Sequence, residues 1–125
     1  MQQVHIYNLS RPQDSAVVAK YCVSFTCRLR GLMFRRSLAA NEGLLLVQSR
    51  ENRLDAAIHM LFMWVDLAVV WINAAREVVD VQLARRWRPI YVPAQPAMYV
   101  LELADGHLED FKVGDQVRFE NQSLG

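Results

Sequence analysis

The sequence predicts a mainly β fold, β-rich α+β in class: a compact, barrel-like antiparallel sheet of six to eight short strands with one or two short helices. Three observations carry this. Short runs rich in Val, Ile, Tyr and Phe recur between turn signals, and Val79, Val81 and Leu83 alternate cleanly with Asp80 and Gln82. Pro89, Pro93 and Pro96 bar the segment 84–96 from the centre of a sheet. Hydrophobic residues make up 53% against 22% charged, too apolar a chain to leave sheet edges bare, and closure toward a barrel removes them.

The elements follow in order. Residues 4–9 read as a first strand, 11–15 with Pro12 and Asp14 as a loop, and 16–25 as a second strand. Thr26 is placed to cap a short helix carrying Leu29, Leu32 and Met33 on one face, which Gly31 weakens by about 1 kcal/mol relative to Ala. Asn41-Glu42-Gly43 turns into a strand over 43–47, and 48–55 is a charged connection. Residues 56–64 and 67–72 read as two buried strands, or one long strand bent near Asp66. Asn73-Ala74-Ala75-Arg76 is a hairpin turn into the strand 77–83. After the proline-rich loop, 97–104 is a strand with Tyr99, Leu101 and Leu103 on one side and Met98, Val100 and Glu102 on the other. Asp105-Gly106 opens a short helical turn through Phe111, and Val113-Gly114-Asp115 leads into a last strand, 116–120.

At 125 residues the chain suits one domain, 1–125. It is too apolar for disorder and, with 5 Gly, 4 Pro and 2 Cys, too poor in those residues for a fibre or a disulfide scaffold. The first residues have no basic n-region, apolar h-region or cleavage site, so a signal peptide is not expected. The most apolar stretch, 56–72, is interrupted by Asp66 and rich in strand formers, so no membrane span is expected either. Cys22 and Cys27 on one extended strand would stand about 16 Å apart, beyond the roughly 7 Å limit for a disulfide; free, buried thiols in a reducing cytoplasm are expected. No Gly-rich phosphate loop, nucleophile elbow or zinc-ligand spacing is recognisable, so neither a cofactor nor a metal is expected.

A series of landmarks says more than composition. Arg30-Gly31-Leu32-Met33-Phe34-Arg35 precedes Leu38 and Glu42-Gly43-Leu44-Leu45-Leu46. Ile58-His59-Met60-Leu61-Phe62-Met63, Val65-Asp66-Leu67-Ala68-Val69-Val70, Tyr99-Val100-Leu101-Glu102-Leu103 with Gly106, and Val113-Gly114-Asp115 follow. The ordered set, over about residues 4–120, resembles the domain of unknown function 192 family of bacteria and archaea. The resemblance implies a compact, barrel-like β domain and no established reaction. Two positions depart from its pattern: the hairpin turn 73–76 lacks the acidic, glycine-containing form common there, and Trp64 stands where a polar or basic residue often does.

Three constellations bear on function. The first is the polar group set in apolar surroundings: His59, Asp66 and Glu102, with Arg30 or Arg35 nearby in motif order. A buried carboxylate needs a partner, so these residues form a candidate pocket with an acid/base pair oriented by an arginine. The structural alternative has Asp66 at a bend accepting backbone N–H groups and Glu102 paired with an arginine of the 30–36 segment. His59 and Asp66 are seven apart and face opposite sides of an unbroken strand, so their joint action needs a bend. The second is the arginine supply: residues 28–53 carry six Arg against Glu42 and Glu51, and Arg85, Arg86 and Arg88 flank Trp87. Six acids between 99 and 125 oppose it, making mutual neutralisation the simpler reading and nucleic-acid binding the weaker one. The third is the hydrophobic excess of Met60, Phe62, Met63, Trp64 and Trp71, which is covered by outer helices or by a partner, including a second copy in a homodimer. Together these point to a binding or interaction module for a small ligand or a protein partner. The alternative is an enzyme of unknown reaction using His59 with Asp66 or Glu102.

Overall fold

The structure is a computed structural model that describes residues 2–11, 17–24, 26–27, 31–40 and 42–121. Seven strands form one sheet: β1 (Gln3–Asn8), β2 (Val17–Cys22), β3 (Gly43–Asn52), β4 (Leu67–Ile72), β5 (Val78–Ala84), β6 (Ala97–Ala104) and β7 (Val117–Asn121). Their order across the sheet is β5-β4-β6-β3-β2-β1-β7. All pairs are antiparallel except β2 with β3. That parallel step is possible because 23–42 separates the two strands, enough chain for a crossover. A 3₁₀ helix, Asp105–Asp110, follows β6.

The sheet curls into a half-barrel whose two edge strands meet at one end. Glu77 bridges Gln116, the Val78 N–H donates to Asp115 O at 2.8 Å, and the Val117 N–H donates to Arg76 O at 2.9 Å. Asp115 fastens this junction: its Oδ2 accepts from Asn8 Nδ2 (2.8 Å), Arg11 Nε (2.9 Å) and the Lys112 N–H (2.9 Å). These donors outweigh the cost of its burial and hold its carboxyl below the usual range.

Alternation along the strands gives the sheet two apolar faces. Leu45, Ala68, Val70, Ile72, Tyr99, Leu101 and Leu103 join residues from all seven strands and Phe111 in one core. Leu44, Leu46, Leu67, Val69, Trp71 and Val100 form the other, and there the cover is supplied by Ala56, Ile58, Met60, Met63 and Tyr91. No outer helix does this work among the described residues; two irregular segments, 53–66 and 85–96, lie over the face. They are tied to each other by the Ile58–Tyr91 bridge and by the Met60 N–H donating to Arg88 O (3.0 Å), and to the sheet by Trp71 Nε1–H donating to Ala56 O (2.8 Å). Gly43 starts β3 where backbones crowd: a Cβ there would stand 2.6 Å from Leu103 Cδ2 and 3.2 Å from Val18 O.

Several expectations are met and several are corrected. The strands at 4–9, 77–83, 97–104 and 116–120, the hairpin turn and the short helix after β6 are where the pattern places them, within a residue or two at the ends. The segment 56–64 is not a strand: it makes one isolated bridge, at Ile58, and turns at 61–62, because its apolar residues serve as a lid and not as part of the ladder. Conversely β3 continues through the polar stretch to Asn52, with a register shift between Val47 and Asn52. The helix expected from Thr26 is seen only as helical residues 26–27 and a turn at 31–34; it is Ser24 Oγ, not Thr26, that accepts the Cys27 N–H (3.1 Å), and 28–30 lie outside the described residues. Residues 12–16 lie outside them too.

The cysteines require a plain correction. They are not free thiols but a Cys22–Cys27 disulfide, with Cα atoms 5.6 Å apart. The distance argument assumed one strand through both residues; β2 ends at Cys22 and the chain turns at once under the Ser24 cap. No helix among the described residues is long and apolar enough to cross a membrane.

Two measurements test this account. Trp71→Phe keeps the ring in the core but leaves Ala56 O unpaired, so urea unfolding is expected to show a loss of about 1–3 kcal/mol; an unchanged midpoint would mean that the bond does not hold the cover down. Opening the Cys22–Cys27 bond with a reductant releases a short loop, and chain entropy puts the loss of stability at about 2 kcal/mol by the same assay, with no change expected in a variant lacking both cysteines.

Candidate ligand site

Beneath the cover of 53–66 lies a cavity of about 350 Å³. Its floor comes from β3 and β6, with Leu46, Gln48, Ser49 and Glu102; Leu67 of β4 adds an apolar edge. Its walls are Gly31, Leu32 and Met33 on one side and Asp55, Ala57, Ile58, His59, Met60 and Met63 on the other.

Glu102 is the unusual member. Alternation in β6 puts it on the same side as Val100, and it pairs across the sheet with Leu44 of β3 and Val69 of β4, both buried apolar residues. It is only 4% exposed. Among the described residues its Oε1 is the one buried side-chain oxygen or nitrogen with no hydrogen-bond partner. Burial without a compensating donor pushes the carboxyl up to about 7. Gly31, at φ +50°, brings backbone close to that oxygen: a Cβ there would stand 3.4 Å from Oε1. His59 is half-buried on the facing wall, and its Nδ1 accepts the Leu61 N–H at 3.3 Å. Asp55 is exposed at the rim and bound to Arg50 Nε at 2.9 Å.

The other sequence candidates stand elsewhere. Asp66 sits at the bend before β4, where its Oδ1 accepts the Arg86 N–H (2.8 Å) and Nε–H (3.2 Å). The backbone bond from Arg86 leads the interactions that lower its carboxyl below the usual range. It lines a separate, shallow cleft of about 160 Å³ with Leu38, Val65, Arg86, Ala104 and Asp105. Arg35 is at the surface, bonded through Nη2 to Glu42 Oε2 at 2.7 Å, while Arg36 lies over the Trp64 ring at 5.4 Å. Arg30 lies outside the described residues. The fold therefore brings His59 and Glu102 to one cavity and keeps Asp66 and Arg35 out of it. Gln48 and Asp55 were missed. Extending the alternation of Leu44 and Leu46 by one step would have found Gln48; nothing in the pattern signals Asp55, which arrives by way of a turn.

The described arginines are mostly engaged, some with near neighbours in sequence and some with distant ones. Arg35 and Arg50 answer Glu42 and Asp55 near them in sequence, Arg11 reaches Asp115, and Arg76 lies over Phe119 (4.1 Å) and Tyr99 (4.7 Å). Part of the aromatic excess does stay outside: Phe34, Phe62, Trp87 and Trp64 form an exposed chain of rings with centroids 5.4–5.5 Å apart. Phe34, Phe62 and Trp87 each have a left-handed backbone, φ 61–68°. Among the described residues no cluster of three or more His, Cys, Asp or Glu side chains is placed to hold a metal.

A curled, mostly antiparallel half-barrel with one buried acid in the floor of a covered cavity defines a class of small β-rich domain. The chain belongs to the domain of unknown function 192 family, described as "Uncharacterized ACR", whose model matches residues 8–119. It is 42% identical over 99 residues to a UPF0127 protein of Thermococcus gammatolerans, covering 78% of this chain and 63% of that one. It is 32% identical over 114 residues to a UPF0127 protein of Pyrococcus furiosus, covering 90% and 95%. The chain thus spans about three-fifths of the length of the Thermococcus relatives it matches and nearly all of the Pyrococcus one. A crystal structure from Novosphingobium aromaticivorans, described as a protein of unknown function, shares the fold at a TM-score of 0.77 and 21% identity, over 93% of this chain and 83% of that one. A second, from Sinorhizobium meliloti and labelled a candidate transcription regulator, does so at 0.79 and 22%, over 96% and 92%. At that identity the likeness is one of fold. No activity is established for the family.

Glu102 holds its proton more tightly in the folded chain than in the unfolded one. Near pH 4 both states are protonated; as pH rises toward 7 the unfolded carboxyl ionises first, so folding loses about 3 kcal/mol from this group by pH 8. The stability of Glu102→Gln relative to the native chain is therefore expected to grow by about that amount between pH 4 and pH 8 in urea unfolding. A constant difference would show that folding leaves the carboxyl's proton affinity unchanged.

Proposed function

We propose that the domain is a binding module that takes a small molecule into the Glu102 cavity. One observation carries this reading: a carboxyl oxygen buried against a cavity with no hydrogen-bond partner among the described residues. An acceptor in that state costs about 1–3 kcal/mol, a penalty that a fold tolerates most readily where an occupant supplies the missing donor. The cavity volume falls within the roughly 300–1,000 Å³ of small-molecule sites, and its lining sets five polar side chains among eight apolar ones.

Methionine methyl groups report on the site directly. Met33, Met60 and Met63 line the cavity, whereas Met98 packs against the opposite core. Titrating ¹³C-methyl-methionine protein with 1-hexanol is expected to shift the first three resonances and leave Met98 in place. Ala57→Trp, which fills the cavity from its wall, is expected to abolish those shifts. Absence of any cavity shift, or shifts that persist in the filled variant, would overturn the reading.

The enzyme reading is favoured by one fact, that His59 and Glu102 line the same cavity. Recovery of an added compound chemically changed, with the change lost in both His59→Ala and Glu102→Gln, would establish it. A cytoplasmic setting, expected from the sequence, asks the Cys22–Cys27 bond to persist against a reducing thiol pool, where disulfides are rare.

A further inference from the structure

We infer that the occupant of the Glu102 cavity is a small organic cation, a primary ammonium carried on a hydrocarbon arm. The inference rests on the binding reading above and names its ligand class.

The argument is one of charge and fit. Of the described residues that line the cavity, the acids are Glu102 and Asp55 and none is Lys or Arg. Asp55 already has Arg50 at 2.9 Å, so among the described lining residues the acid without a partner is Glu102. Of the arginines that the sequence offered as its partner, Arg35 goes to Glu42 and Arg36 to Trp64, while Arg30 lies outside the described residues. A neutral donor would satisfy the oxygen, but a cation also compensates the buried charge, and hydrogen bonds between ionised groups are roughly twice as strong as neutral ones. A second ligating cluster is missing, so a bare metal ion does not fit: no group of three or more candidate ligands exists among the described residues. Around the acid, Leu46, Met60, Met63 and Leu67 present an apolar surface that suits a hydrocarbon arm, and the flexible methionines adapt to its shape. Gly31 places no side chain beside Oε1, where a Cβ would stand 3.4 Å away.

The carboxyl titrates near neutrality, and a bound ammonium favours its ionised form, so binding releases a proton from Glu102. Leu44 and Val69, its neighbours across β3 and β4, are apolar; His59 and the Arg50-bound Asp55 are the other charged or titratable groups of the described lining.

Three probes with one skeleton separate the possibilities: n-hexylammonium, 1-hexanol and hexanoate, titrated at pH 8 with the methionine methyl groups as reporter. The expected order is hexylammonium at least tenfold tighter than hexanol, with hexanoate weakest. Hexylammonium affinity is expected to fall about tenfold between pH 8 and pH 6 as Glu102 takes up its proton. That slope is expected to persist in His59→Gln and vanish in Glu102→Gln, which also erases the preference for the ammonium over the alcohol. The order of the three probes is read on the unaltered chain and needs no variant to fold. Hexanol or hexanoate binding as tightly as hexylammonium would overturn the cation while leaving the cavity as a binding site. No cavity shift with any probe would overturn both.

Discussion

The structure depends on one strand being apolar on both sides. Leu67–Ile72 is buried at every position, so neither face of the sheet at β4 tolerates water. At about 25 cal/mol per Å² of apolar surface, leaving either face bare would forfeit a large part of a small domain's stability. The two faces find different answers. One curls until its edge strands touch, and Phe111 after the 3₁₀ helix fills the remaining space. The other continues across β6 onto β3 and is covered by chain that belongs to none of the seven strands.

A cover made of irregular segments has consequences for polar groups. A strand or helix packs with its backbone groups already bonded; a loop has to satisfy them individually and leaves gaps where its turns do not interlock. The cavity is such a gap. Comparison of Glu102 with two other perturbed carboxyls shows what is particular about it. Asp115 is also buried but accepts three donors, and Asp66 accepts two from Arg86; both are lowered. Glu102, on a regular strand whose backbone is committed to β3 and β4, receives no hydrogen bond at Oε1 among the described residues, though the turn at Gly31 passes close by, and is raised. Burial alone does not set the direction; the supply of donors does.

This explains which parts were legible beforehand. In β6, Tyr99, Leu101 and Leu103 face one core and Val100 the other, as alternation places them. Residues 79–83 of β5, by contrast, are all half-buried, with Val79 against one core and Val81 against the other, because both faces of the sheet are covered. Residues 56–64 have the same strand-like composition, yet Ile58, Met60 and Met63 are buried as a lid over the sheet. Composition reports burial, and only pairing distinguishes a lid from a strand. Glu102 stood out as a charge among apolar residues and is indeed at a cavity. Asp66 stood out by the same signal and turned out to cap a turn, since sequence gives no sign of which donors will arrive from residue 86. The cysteine distance failed for a related reason: it presumed where β2 ends.

The cover also shows why fold and ligand need not travel together. Getting Met60 and Met63 inward across a two-residue turn forces Phe62 outward at φ +61°, and Phe34 and Trp87 beside it adopt the same left-handed backbone. Each such residue costs about 1–2 kcal/mol relative to ordinary geometry, so the cover is held in place by what it buries and not by its own preference. Changing a lid residue therefore alters the cavity while the sheet beneath, fixed by its own two cores, keeps its shape. The crystal structures that share the half-barrel at 21–22% identity fit that division, since a sheet can persist at an identity too low to carry a binding site with it. On the binding reading proposed above, the choice of ligand lies where Glu102 meets the lid, and the barrel's likeness to others does not reveal it.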